Sequence, residues 1–173
     1  MKMVKSTLLL ATIALLASPL SAQDPRRPRR EFRADLKGPT ENVSILSGAT
    51  GRLTLSVNDD DSSVHFVLQF QGLQTPVLFS HIHVGKTNDN GGVAVFFCGG
   101  STTPPCPQGE GTVEGDFTAD DVIGLPAQEL AANDLAALLS AIRAGDAYAN
   151  LHTMAHMGGE IRGQILPARR GED

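Results

Sequence analysis

Four of the five histidines fall into two short clusters, His81-Ile82-His83 and His152-Thr153-Met154-Ala155-His156. Imidazole is the commonest metal ligand and ordinarily titrates near neutral pH. Residues two apart on a strand point to the same face, about 6–7 Å apart at the backbone. His-x-His on a strand is therefore half of a site for zinc or copper, whose nitrogen ligands lie at about 2.0–2.1 Å. His152 ends a second predicted strand and can supply a third ligand if the two strands are neighbours. His156, in the turn that follows, is the candidate fourth. The same residues suit a hydrogen-bonded polar cluster equally well.

A second polar group is Gly159-Glu160-Ile161-Arg162-Gly163-Gln164. Glu160, Arg162 and Gln164 share one strand face and are expected to form a polar ladder on a solvated surface. Gly163 marks a bulge or the place where a bulky side chain is admitted. Nucleophilic chemistry has no frame here: there is no Gly-x-Ser-x-Gly elbow, no phosphate-binding glycine loop and no recognisable carboxylate pair. Asn58-Asp59-Asp60-Asp61-Ser62 lacks the glycine and distal glutamate of a calcium loop and reads as a solvated turn. Asn42-Val43-Ser44 matches a glycosylation pattern that is common by chance. Cys98 and Cys106 flank a turn-rich loop, and an even count in an exported chain predicts a disulfide between them.

The elements that must position these residues are strands. Phe32, Ala34 and Leu36 alternate with Arg33 and Asp35. Leu53, Leu55 and Val57 alternate with Arg52, Thr54 and Ser56, and Val64, Phe66, Leu68 and Phe70 with His65, Val67 and Gln69. This is the period of half-buried strands. Asn58 to Ser62 joins the second and third as a hairpin. Further strands are predicted at 77–84, 91–98, 110–117, 147–153 and 160–166. On the first of these, Leu78, Ile82 and Val84 are assigned inward and His81, His83 and Phe79 outward. On 147–153, Ala147, Ala149 and Leu151 oppose Tyr148, Asn150 and His152, so the three strand histidines are expected to avoid the hydrophobic core.

One helical excursion, about 118–145, interrupts the strands. Thr118 to Asp121 looks like a capping box. Asn133 is the expected cap of a helix whose apolar face is Leu135, Leu138, Leu139 and Ile142, with Arg143 in its last turn and Gly145 ending it. It should cover an open end or face. The predicted fold class is all-β, an antiparallel Greek-key-like sandwich of seven to eight strands.

Organisation and charge bound the function further. The basic start and short apolar run of residues 1–22 read as a secretory signal peptide cut after Ala22, which directs the chain to the periplasm or the extracellular space. Residues 23–30 read as a flexible basic linker, 31–167 as one domain and 168–173 as a tail. The formal net charge is −5, and loss of Lys2 and Lys5 with the signal makes the remainder more acidic. That argues against nucleic acid as a partner, since phosphate binding needs a concentrated basic face. No stretch after the signal is suited to cross a membrane.

Taken in order, these segments resemble the CHRD (chordin-type) domain family. The stretches that carry the resemblance are Phe79-Ser80-His81-Ile82-His83-Val84-Gly85, Val95-Phe96-Phe97-Cys98-Gly99-Gly100, Gly111 to Gly115, Thr118 to Val122, and above all Ala147 to Thr153 with Gly159 to Gln164. Leu151 and Met154-Ala155-His156 are variations within the pattern. The resemblance implies an extracellular module and brings no established catalytic residues. A looser likeness joins His-x-His followed by glycine to the copper strand of Cu/Zn superoxide dismutases. It stops there, because the bridging histidine, zinc-loop ligands and active-site arginine are not found in order. The leading expectation is a non-enzymatic binding or structural module for a protein or polysaccharide partner. The alternatives are a copper or zinc binding protein using His81, His83, His152 and His156 and, last, a redox enzyme at that site.

Overall fold

The structure, a computed structural model, describes residues 28–169. The predicted signal peptide, most of the basic linker and most of the tail lie outside these residues. Arg30, assigned to the linker, is part of the domain: its guanidinium donates to the carbonyl oxygen of Asp59 at 2.5 Å and lies 3.6 Å from the Asp61 carboxylate.

The described residues form nine strands: β1 (Glu31–Lys37), β2 (Thr50–Val57), β3 (Ser63–Gln71), β4 (Val77–Val84), β5 (Val93–Cys98), β6 (Gly111–Thr118), β7 (Ala147–Thr153), β8 (Ile161–Gln164) and the two-residue β9 (Leu166–Pro167). All recorded pairings are antiparallel, as the alternating pattern required. The predicted strand 160–166 is split at Ile165, whose N–H bonds the Ala147 carbonyl at 2.9 Å. The strands make one continuous sheet in the order β5-β4-β7-β8-β1-β2-β3-β6, with β9 beside β1. The sheet rolls until β5 and β6 come close without pairing, so the layers of the expected sandwich are joined into a nearly closed barrel. A cleft of about 450 Å3 remains at that seam, lined by Phe66, Phe96, Phe97 and Phe117 among others.

The core follows the period of two. Phe32, Ala34, Leu36, Leu53, Leu55, Val57, Val64, Phe66, Leu68 and Phe70 are all buried, and this continuous apolar interior is the main term holding the sheet closed. The Cys98–Cys106 disulfide forms and closes the turn-rich loop after β5. Close approach decides Gly163: a Cβ there would stand 2.5 Å from the Asp35 carbonyl oxygen on β1. The glycine lets two backbones meet, rather than admitting a bulky side chain.

The helix α1 (Leu135–Ala144) buries Leu135, Leu138, Leu139 and Ile142 as predicted and ends at Gly145 in the left-handed region (φ 78°). Its cap is Asp134, one residue beyond the expected Asn133. The Asp134 carboxylate accepts from the Ala137 N–H at 2.9 Å, while Asn133 adopts φ 63°. Arg143 reaches the β2–β3 turn and donates to both Asp61 oxygens at 2.8 and 2.9 Å. The helix therefore closes the barrel end that carries this turn, and the acidic run serves structure. Thr118 and Asp121 form the predicted capping box on a 3-10 turn.

Candidate metal centre

β4 and β7 are hydrogen-bonded neighbours, and their register sets the site. Phe79 lies opposite His152, His81 opposite Asn150, and His83 opposite Tyr148. β8 continues the same face with Arg162 opposite Asn150 and Gln164 opposite Tyr148. The inward residues Ser80, Ile82, Ala147, Ala149 and Leu151 are buried in the barrel. Leu78 departs from its inward assignment, because a register shift between Val77 and Phe79 takes it out of the ladder. It is half-buried.

The outward face is not a surface. His81 is 2% exposed and His152 8%, and Asn150, Tyr148, Glu160 and Arg162 are buried as well. This corrects the expectation of a solvated Glu160–Arg162–Gln164 ladder; the histidines do lie outside the barrel core, but they are covered. The polar side chains find partners in the connections that overlie the sheet. Arg162 donates to Asn42 Oδ1 at 3.1 Å and to the Lys86 carbonyl at 3.0 Å. Gln164 donates to the carbonyls of Gly85 and Gly145 at 3.0 and 2.7 Å. Glu160 accepts from the Thr153 hydroxyl at 2.6 Å. Glu41, in the β1–β2 connection, accepts from Asn150 Nδ2 at 2.5 Å. Chain pattern marks the strand residues of this face, but Glu41 and Asn42 sit in a segment without periodicity: Glu41 escaped the sequence reading, and Asn42 entered it only as part of a glycosylation pattern.

Three imidazoles converge. Ligand nitrogens of His81, His83 and His152 all lie within 4.8 Å of one another. Ring centroids are 4.5 Å apart for His81 and His83 and 4.7 Å for His81 and His152. His156 is not in this group: it lies half-buried in the turn after β7. Phe79 packs on His152 at 4.6 Å and on His81 at 5.4 Å, and Phe96 meets His81 edge-on at 5.1 Å.

Hydrogen bonding fixes the tautomers of two rings. His83 Nδ1 lies 2.8 Å from the Gly91 carbonyl oxygen and His152 Nδ1 2.8 Å from that of Met157. A carbonyl only accepts, so each Nδ1 carries the proton and each Nε2 keeps a bare lone pair. His152 Nε2 and His81 Nδ1 are buried without a hydrogen-bond partner in the protein. Burying such atoms unpaired costs about 1–3 kcal/mol each. Burial also holds the rings neutral, pushing His81 down to about 2 and His83 to about 4, with His152 lowered too. Mutual repulsion adds to the shift at His81 and His83. Neutral rings with Nδ1–H anchored on carbonyls are the state in which imidazole binds a metal. Ligand nitrogens around such an ion stand about 3.4 Å apart, from bond lengths near 2.0–2.1 Å. Ring adjustments of about an ångström therefore suffice.

An antiparallel β-module with a histidine trio on one covered outer face, His81 and His152 buried and His83 half-buried, is the class these features define. The chain belongs to the CHRD domain family: the family model described as "CHRD domain" matches residues 32–165. Comparison with curated proteins and with solved structures gives no match. Membership supports a structural or binding module. Among the described residues no helix is long and apolar enough to cross a membrane.

Proposed function

We infer that this chain is an exported binding module that holds one copper or zinc ion on His81, His83 and His152. The observation that carries the reading is the convergence of three neutral imidazoles, two of them with buried nitrogens that nothing in the protein satisfies. A polar cluster built for stability alone would pair those nitrogens. Imidazole suits both metals, and divalent affinities ordinarily favour copper over zinc. The reading is of binding without turnover, because Phe79 and Phe96 pack on the rings and leave His81 enclosed. Export rests on the apolar amino-terminal run and on the character of the family.

Calorimetric titration of the protein with copper(II) and zinc(II), beside His81→Ala and His152→Ala variants, tests the assignment. Micromolar or tighter binding, lost in both variants, is the expected result. Binding absent from the parent, or untouched by either substitution, overturns it and directs attention to protein or polysaccharide partners. Superoxide turnover by the loaded protein would overturn the non-enzymatic part alone.

A further inference from the structure

The chain has four methionines. Met1 and Met3 fall outside the described residues. The other two, Met154 and Met157, are both in the turn that follows β7. Among the described residues the buried apolar core holds Leu, Ile, Val, Phe, Ala, Tyr148 and the disulfide-bonded cysteines, without methionine. Met154 is 57% exposed and Met157 70%, so neither thioether packs the core in the usual way. Between them lies His156, the one clustered histidine that the trio excludes.

The turn is a fixed frame. The Thr153 and His156 backbones exchange N–H···O bonds of 3.3 and 3.1 Å, the Met154 N–H bonds the Pro76 carbonyl at 2.9 Å, and the Ala155 N–H bonds the Thr75 hydroxyl at 3.2 Å. The Met157 carbonyl holds the Nδ1 proton of His152. One turn thus carries two exposed soft sulfur donors and a half-buried imidazole, and its backbone orients a ring of the histidine trio.

We propose that Met154, His156 and Met157 form an outer copper(I) site, which captures the ion at the surface and stands beside the buried trio. Thioether sulfur favours copper(I) over zinc and other harder divalent ions, so this set selects one metal and one oxidation state. Capture is ligand exchange with no change of oxidation state. The outer site stands on its own residues; only its service to the buried trio rests on the function proposed above.

The test is anaerobic copper(I) titration of the full chain, followed by the assigned methyl resonances of Met154 and Met157 and the ring resonances of the five histidines. X-ray absorption reads copper–sulfur scattering in parallel. The expected result is two ions per chain, methyl and His156 shifts in step with one of them, and a sulfur shell that disappears in Met154→Leu/Met157→Leu together with one equivalent of copper. Unmoved methyl resonances, or a sulfur shell that persists in the double variant, overturn the outer site. Methyl shifts without movement of His81, His83 and His152 leave it standing and overturn its service to the buried trio, whose own copper(II) and zinc(II) titration is separate.

Discussion

His83 and Tyr148 stack with 4.6 Å between ring centroids and 10° between planes, and the Arg162 guanidinium lies 3.4 Å over the same Tyr148 ring. Cation, phenol and imidazole form one column leading to the trio. Arg162 also ties two connections to the sheet through Asn42 and Lys86. Arg162→Met keeps much of the stem and removes the charge and every donor. An expected loss of about 2 kcal/mol follows from the abandoned acceptors and the lost cation–π contact. Arg162→Lys, which keeps the charge without the planar fork, should fall between parent and Met variant. Urea unfolding checks both; a change below about 0.5 kcal/mol for Arg162→Met would show that the column contributes nothing.

Acid should destabilise the protein in a defined window. The unfolded chain protonates its histidines near 6.5, whereas burial delays His83 to about 4 and His81 to about 2 and lowers His152. As pH falls from 6.5, the unfolded state takes up protons that the folded state refuses, and stability falls. Glu41 acts in the opposite sense. Burial raises it from 4.5 to about 7, against the pull of Arg162 and Asn150, so its contribution is complete below 4.5 and fades as pH rises through 7. Three histidines outweigh one carboxyl, and stability should climb between pH 4.5 and 6.5. Glu41→Gln should steepen that climb. Denaturant midpoints from pH 4 to 8, with a chelator present, make the comparison. A flat parent profile is incompatible with buried neutral rings.

Two glycines of one segment should respond differently. Gly163→Ala forces a Cβ against the Asp35 carbonyl on β1, and a loss of about 3 kcal/mol is expected from overpacking two backbones. At Gly158 an added Cβ meets nothing within 4 Å, so Gly158→Ala should lie within about 0.5 kcal/mol of the parent. Thermal melts of the pair suffice; equal effects would show that β1 and β8 can separate freely.

Loss of the Cys98–Cys106 bond should cost roughly 2.5 kcal/mol in the chain-entropy account of a short loop. Cys98→Ser/Cys106→Ser compared with the parent by urea unfolding gives the figure. No change would mean that the unfolded chain already holds these residues together.

Strand period made most of the barrel legible, since one face of each strand had to be buried. Leu53 to Val57 and Val64 to Phe70 alternate as read, and the helix face from Leu135 to Ile142 was equally plain. The outer face of β4, β7 and β8 was misread for a physical reason. Alternation says which residues leave the core, not whether loops will cover them. His81 was therefore assigned outward and Arg162 and Glu160 to solvent, although Phe79 and Phe96 pack on His81 and the connections carrying Asn42 and Lys86 hold Arg162. The His81–His83 pair followed from spacing; its link to His152 was conditional on two strands being neighbours, which the β4–β7 pairing supplies. The exclusion of His156 did not, because the path of a turn depends on backbone bonds such as Met154 to Pro76 that no spacing encodes.

The seam between β5 and β6 has a consequence beyond the fold. A bare strand edge offers a row of amides and carbonyls on which another molecule's strand can grow. Here the two ends of the hydrogen-bonded path face each other across a narrow cleft, and the disulfide tethers the loop that joins them. Each edge screens the other, so the molecule carries its own guard against fibril templating.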